Sequence, residues 1–440
     1  MNPFLFFTDP VLRGPTWGAM LLGVVAALVG VSLLLRKRSL LGEALSHAAY
    51  PGVTISVVLA GFFSLERYLP FLILTGAFLS SLVGYWVLNW LKTTQRVSDD
   101  SSLCFILACF FGIGITIGSY VQFLYPHLYR QIQGFLYGQA ATMHDAHILF
   151  YAALLLVVLV VYLLFYKEIL VSLFDPSYAK SIGLGVRLVE TILFLLSTFT
   201  VVVGIRTVGV VLMSALLMAP AIAARPFTHR LSLMLLIAGC VGMMSGFLGI
   251  YFSVLYSSSA SYSLPSGPMI VLVAGGFALL SLLFAPGGGL FVRLYRIFRF
   301  RTQCLEENLL KALWHCGQNH EGGCSLPSLV EKQGLSPFSL RFLLHRLGKR
   351  GWIKAEDNRY QLNQEGMRRG GRIVRLHRLW EAYLVYSLGA KMDRVHKSAE
   401  EMEHILTPDL EKKLTTLLKD PKHDPHKQPI PSSGEVVESL

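Results

Sequence analysis

Trp17–Arg38 reads WGAMLLGVVAALVGVSLLLRKR: an uncharged run over 17–35, then three cations in succession. At about 1.5 Å of rise per residue, a helix of that length spans the roughly 30 Å hydrocarbon core of a bilayer. Helix is the only choice, because lipid offers backbone N–H and C=O groups no partners. Arg36, Lys37 and Arg38 belong on the cytoplasmic side, so this span runs from outside to inside. The N-terminus lacks a cationic start and the run ends in basic residues, where a signal peptide would end in small ones. The first span is therefore expected to stay on the chain.

Eight further apolar runs follow: 44–63, 69–91, 103–121, 146–166, 188–204, 207–224, 231–256 and 268–286. About nine spans result. The division between the sixth and seventh rests on Gly204, Ile205 and Arg206 alone. Arg293, Arg296, Arg299 and Arg301 follow the last run. An odd number of crossings then places the C-terminal part in the cytoplasm, and merging runs six and seven would reverse it.

Across 440 residues the chain is 53% hydrophobic and only 15% charged, too apolar for an ordinary soluble protein. The apolar excess fills 17–287, and the rest is polar and basic, so two modules are expected. The net charge of +12 suits anionic partners, whether lipid headgroups or nucleic acid. Cys104, Cys109 and Cys240 fall in spans as packing residues. Cys304, Cys316 and Cys324 fall in the cytoplasmic half, where thiols stay reduced. With His315 and His320 nearby they still match no structural zinc spacing. No GxxxxGK[ST] loop occurs, since Gly348-Lys349 runs into Arg350, so the chain has no ATPase motif of its own. An intramembrane metalloprotease is disfavoured, because no span carries HExxH.

Leu40–Gly52, LLGEALSHAAYPG, puts Glu43 and His47 four residues apart at a membrane entry. An ionisable pair at that depth is costly and reads as functional; the plain alternative is a carboxylate at a helix start. This stretch resembles the Gly-Asp-Ala-Ile-Ser-His-Ala-x-x-Pro-Gly signature of permeases from ABC importers for zinc, manganese and iron. Phe174–Leu184, Val208–Ala221, Leu264–Pro268 and Leu283–Pro286 resemble later motifs of that family, in order. The resemblance implies a bacterial inner-membrane permease that works with an ABC ATPase subunit, a second permease subunit and a periplasmic metal-binding protein. It also implies that Glu43 and His47 touch the transported metal, with Glu in place of the family's Asp. By the same resemblance Asp175, Pro176, Ala179 and Gly183 form the ATPase-docking loop. The outer residues His127, His144, Asp145 and His147 read better as an ordinary wet loop than as a receiving site.

Beyond a basic juxtamembrane linker, 291–305, residues 306–365 read as a winged helix-turn-helix. Ser336 and Pro337 form a helix start, as N-cap and first helical residue. Leu340, Leu343, Leu344 and Leu347 share one face of that helix. Arg341, His345, Arg346, Lys349 and Arg350 occupy the other. A hairpin turns at Asp357-Asn358. As a recognition helix it would bring Ser336, Ser339 and Arg341 to base edges of operator DNA, with Arg346, Lys349 and Arg350 suited to phosphates.

Residues 366–431 read as a further helical domain, with helices over 366–388 and 393–406, and 432–440 as a disordered tail. His377 and Glu381 lie four apart on the first helix. His396, Glu400, Glu403 and His404 fall on one face of the second at i, i+4, i+7 and i+8. With His423–Pro431 these stretches resemble the diphtheria-toxin-repressor family of metal-dependent regulators. The resemblance implies one metal site at His377, Glu381 and His396, and another at Glu400, Glu403 and His404. Asn308, a weak donor, stands where the family has a stronger ligand. It also implies a homodimer of this module. Oxygen and imidazole donors without thiolate suit Fe(II) or Mn(II) better than Zn(II). The whole is expected to be mainly α. A rival reading makes the soluble half a metal-sensing gate on the transporter that needs no DNA.

Overall fold

The run at 17–35 folds as most of one long helix, in a computed structural model that describes residues 3–138, 140–259, 264–319, 323–356 and 359–432. The expected turn at Asp357-Asn358, His320 and the tail beyond Ser432 lie outside the described residues. The chain divides into two compact units, Met1–Arg293 and Leu294–Leu440.

In the first unit a short α1 (Leu5–Thr8) leads into α2 (Pro10–Leu35), α3 (Leu40–Phe62), α4 (Leu69–Thr93) and α5 (Asp99–Leu124). Then come α6 (Pro126–Tyr137), α7 (Asp145–Leu164), α8 (Tyr166–Phe174) and α9 (Pro176–Ser181). The unit closes with α10 (Val186–Val208), α11 (Val210–Ala224), α12 (Leu231–Ser259) and α13 (Ser266–Phe284). Among the described residues eight of these are long and apolar enough to cross a bilayer: α2 to α5, α7, α10, α12 and α13.

Burial sorts them into layers. The most apolar windows of α2, α3 and α10 are 72%, 72% and 67% buried, against 22–28% for α4, α5, α7 and α13. The outer four expose side chains such as Trp86, Phe105, Leu156 and Leu279, as lipid-facing helices do. Close helix approach at the centre depends on small residues. A Cβ on Gly23 of α2 would lie 2.3 Å from the Gly242 carbonyl oxygen of α12, so only glycine lets these backbones meet.

The break between the sixth and seventh runs falls at Gly209, not at Gly204–Arg206. α10 continues through Arg206 because those three residues take ordinary helical geometry; Gly209 has φ +97°, which side chains resist. The α11 that follows has only 15 residues, about 22 Å of helix and short of a full crossing. Nine apolar runs thus become eight full spans and one shorter apolar helix.

The second unit takes up α14 (Leu290–Asn319), α15 (Leu326–Gln333), α16 (Pro337–Lys349), α17 (Gln364–Tyr386), α18 (Met392–Met402) and α19 (Pro408–Leu417). α14 is one continuous helix; the expected linker and first soluble helix are both part of it. β1 (Cys324–Ser325), β2 (Ile353–Glu356) and β3 (Arg359–Leu362) form an antiparallel sheet in the order β1-β3-β2. Ser336 caps α16, its hydroxyl accepting from Ser339 N–H, and Gly351 (φ +70°) follows its C-terminal end. Leu340, Leu343, Leu344 and Leu347 pack on Leu309 and Leu313 of α14, Leu329 of α15 and Ile373 of α17. This is a winged-helix core.

Two expectations change here. Cys316 and Cys324, expected as separate reduced thiols, are joined as a disulfide with Cα atoms 6.1 Å apart. β1, too short to read in the sequence, brings Cys324 beside the last turn of α14. α18 ends at Met402, leaving Glu403 and His404 in the following turn. Thr407 and Pro408 open α19 only a few residues on, with Thr407 as N-cap, so the chain must leave the helix there.

Candidate metal centre

α17 carries His377 and Glu381 one turn apart on a buried face, and α18 brings His396 against them. His377 Nε2 lies 3.2 Å from Glu381 Oε1 and 3.1 Å from His396 Nδ1, and His396 Nδ1 lies 2.9 Å from Glu381 Oε1. His377 and Glu381 are buried, whereas the His396 side chain is 63% exposed and gives solvent a way in. Among the described residues this is the group of three donors close enough to hold a metal ion, with ligand atoms all within 4.8 Å of one another. At metal–ligand distances of roughly 2.1 Å, neighbouring donors of an octahedral ion stand about 3 Å apart. The residues therefore fit a divalent cation.

Without metal, protons hold the cluster together. Burial opposes ionisation of Glu381, but hydrogen bonds from His377 and His396 outweigh it and bring its carboxyl down to about 2. Burial likewise disfavours the His377 imidazolium, yet bonds to Glu381 and Glu403 raise its pKa.

The second expected set does not come together. Glu403 turns to the far side of His377, where its Oε2 lies 2.5 Å from Nδ1. Lys311 of α14 reaches the same carboxylate, with Nζ 2.8 Å from Oε2 and 3.1 Å from Oε1. His404 Nδ1 is 2.6 Å from Glu307 Oε2. Glu400 is exposed and lies 3.6 Å from His396. Asn308 is half-buried on α14. Sequence reasoning missed Lys311 and Glu307 altogether. Their proximity to Asn308 was the available signal, but it gives no hint that α14 packs against the turn after α18.

On α16 the cations divide. Arg346 and Arg350 are clamped by the buried Glu306, at 2.7 and 2.9 Å. Arg341 and Lys349 are exposed. Ser336 and Ser339 hydrogen-bond each other at the helix start, 2.9 Å apart. Phe338 and Phe342, which the sequence reading passed over, stand exposed on the same helix.

In the first unit His47 is buried on α3 and its Nδ1 has no hydrogen-bond partner among the described residues; its ring lies edge-on to Phe111 at 4.6 Å. Glu43 is half-buried one turn earlier. No third donor joins them in a metal-sized group among the described residues. Asp175 caps α9 by accepting from Tyr178 N–H at 2.9 Å, Pro176 takes the first helical position, and Ala179 is buried. Gly183 (φ +77°) ends the segment, leaving Phe174, Tyr178 and Ile182 exposed around it. Of the outer residues, Asp145 pairs with Arg13, and His147 Nδ1 accepts from the His144 N–H at 3.1 Å, which is local capping.

Comparisons with known proteins cover both units. The model of the ABC 3 transport family matches residues 8–285. That of the iron dependent repressor, metal binding and dimerisation domain, matches 363–432. A probable metal transport system membrane protein of Chlamydia pneumoniae is 37% identical over 445 aligned residues, covering 98% of this chain and 99% of its own. The manganese transport system membrane protein MntC of Bacillus subtilis is 32% identical over 84% of this chain and 83% of its own. The zinc transport system membrane protein TroC of Treponema pallidum is 37% identical over 68% of this chain and 97% of its own. Eight span-length helices around a tight core, and a family match over most of the chain, lead to one assignment: this protein belongs to the ABC 3 transport family of membrane permeases.

Proposed function

We propose that this permease imports Mn(II) or Fe(II), in preference to Zn(II), and that its second unit is a cytoplasmic, metal-dependent transcriptional repressor. The observation that carries the regulatory half is the meeting of His377, Glu381 and His396 in a unit that also contains a winged helix. Two imidazoles and a carboxylate, without thiolate, favour the manganese and iron end of the divalent series. The Bacillus relative's name supports manganese; the Treponema relative's name keeps zinc as the alternative.

In transport, Glu43 and His47 touch the cargo, and the α8–α9 segment with Asp175, Pro176, Ala179 and Gly183 meets a partner ATPase. A second permease subunit completes the pore, and a periplasmic binding protein delivers the ion. In regulation, a bound divalent ion ties α17 to α18, the helices that supply the dimer surface. Glu400 stands at the edge of this centre, 3.6 Å from His396. The dimer then presents two copies of α16 to operator DNA. Ser336, Ser339 and Arg341 read base edges and Lys349 meets phosphate, with Arg346 and Arg350 secondary because Glu306 holds them.

That clamp also favours a second reading, a metal-sensing gate without DNA. The full chain in detergent, titrated against DNA upstream of its own gene with Mn(II), Fe(II), Zn(II) or chelator, separates the two. Metal-dependent binding that weakens with salt and is lost in Arg341→Ala supports the repressor. No binding with any metal, in a chain whose metal uptake still responds to cytoplasmic metal, supports the gate.

A further inference from the structure

The carboxylate of Glu403 is fully buried, yet among the described residues it belongs to no metal-sized group of donors. Its near partners are His377 Nδ1 on one side and the Lys311 ammonium on the other, with His404 Nε2 farther off, 3.8 Å from Oε1. Lys311 Nζ also stands 3.1 Å from His377 Nδ1, so the three groups touch one another. Lack of room does not explain the absence of a second cluster. A cavity of about 460 Å³ opens beside Glu403, His404 and Glu307. What occupies the decisive position is a positive charge belonging to the chain.

We propose that Lys311 is a tethered cation standing where a second metal ion would otherwise bind, so that each chain holds one regulatory ion, at His377, Glu381 and His396. This rests on the metal-dependent reading of that cluster. A divalent ion on Glu403 would share one buried carboxylate with an ammonium and be repelled by it. Lys311 is only 16% exposed on its side chain, so it cannot swing freely into water to make way. Glu403 is thereby released from ligation and becomes a positioning residue. Accepting from His377 Nδ1–H, it fixes the tautomer and turns Nε2 toward Glu381 and His396. A carboxylate behind a ligating histidine commonly has this role.

The test is a metal count on the full chain in detergent, in a His47→Ala background that silences the transport path, using Mn(II) as probe with equilibrium dialysis and electron paramagnetic resonance. The parent is expected to bind one Mn(II) per chain and to show the spectrum of isolated ions. Lys311→Met, which keeps the stem and removes the charge, is expected to bind two and show spin coupling. Lys311→Arg should stay at one. Glu403→Gln should keep one ion at 10- to 100-fold weaker affinity, the range seen when such a partner is lost. Two ions in the parent would overturn the inference while leaving the metal-dependent reading intact. An unchanged count of one in Lys311→Met would also overturn it. No ion in the parent or in Lys311→Met sinks the metal centre itself, and the inference with it.

Discussion

His377 must offer a bare Nε2 to a metal, yet in the metal-free protein Glu381 and Glu403 raise its pKa above the ordinary 6.5 despite its burial. Protons therefore compete with the ion at pH 6.5 and somewhat above. Metal affinity should strengthen by up to about tenfold per pH unit as pH rises toward 6.5, read by competition with a chelating dye. A flat profile would contradict the arrangement. Stability of the metal-free form follows the same two groups with opposite signs. The contribution of Glu381, whose carboxyl sits near 2 instead of 4.5, is present above pH 4.5 and lost as pH falls toward 2. That of His377 is present below 6.5 and lost as pH rises through its raised value. Hydrogen exchange in the second unit should accordingly be slowest, after correction for intrinsic rates, between about pH 5 and 6.5. Glu381→Gln removes the negative charge shared by both histidines and should weaken metal binding at least about tenfold, measured by calorimetry.

At the scale of elements, α16 was readable because its signals are local: a Ser-Pro start, four leucines on one face and a glycine after its end. Leu340 at its centre is fully buried, so Leu340→Ala should cost the winged helix about 2–5 kcal/mol. Loss of exchange protection in α14 and α16, but not in α3, would show it. The α10–α11 junction was misplaced by a few residues because composition cannot reveal which glycine takes positive φ. Gly209→Ala would put a side chain there at a cost of about 1–3 kcal/mol, seen as a lower melting temperature of the purified permease. β1 is two residues long and had no period to detect. Helical spacing put His377 and Glu381 on one face, whereas joining His396 to them came from the resemblance to the repressor family. Lys311 was not legible, because 92 residues separate it from the Glu403 it holds.

For the whole molecule, the layered membrane unit and the polar second unit follow from where the charges lie, and composition alone divided the chain near residue 290. Sidedness is the remaining issue. With α11 counted as a crossing, green fluorescent protein fused after Leu440 should fluoresce, and alkaline phosphatase fused there should be inactive; the reverse would leave α11 on one side of the bilayer. The unbroken α14 has a further consequence, for proteolysis. A protease needs extended backbone, and between α13 and the end of α14 only the short Ala285–Gly289 turn offers it. A cut in that turn would leave a fragment headed by Phe291, Leu294, Tyr295, Ile297 and Phe298, all at least half exposed among four arginines. Such a leader would keep the severed second unit on anionic lipid, and only cleavage beyond Arg301, after the helix has been unwound, would let it diffuse freely.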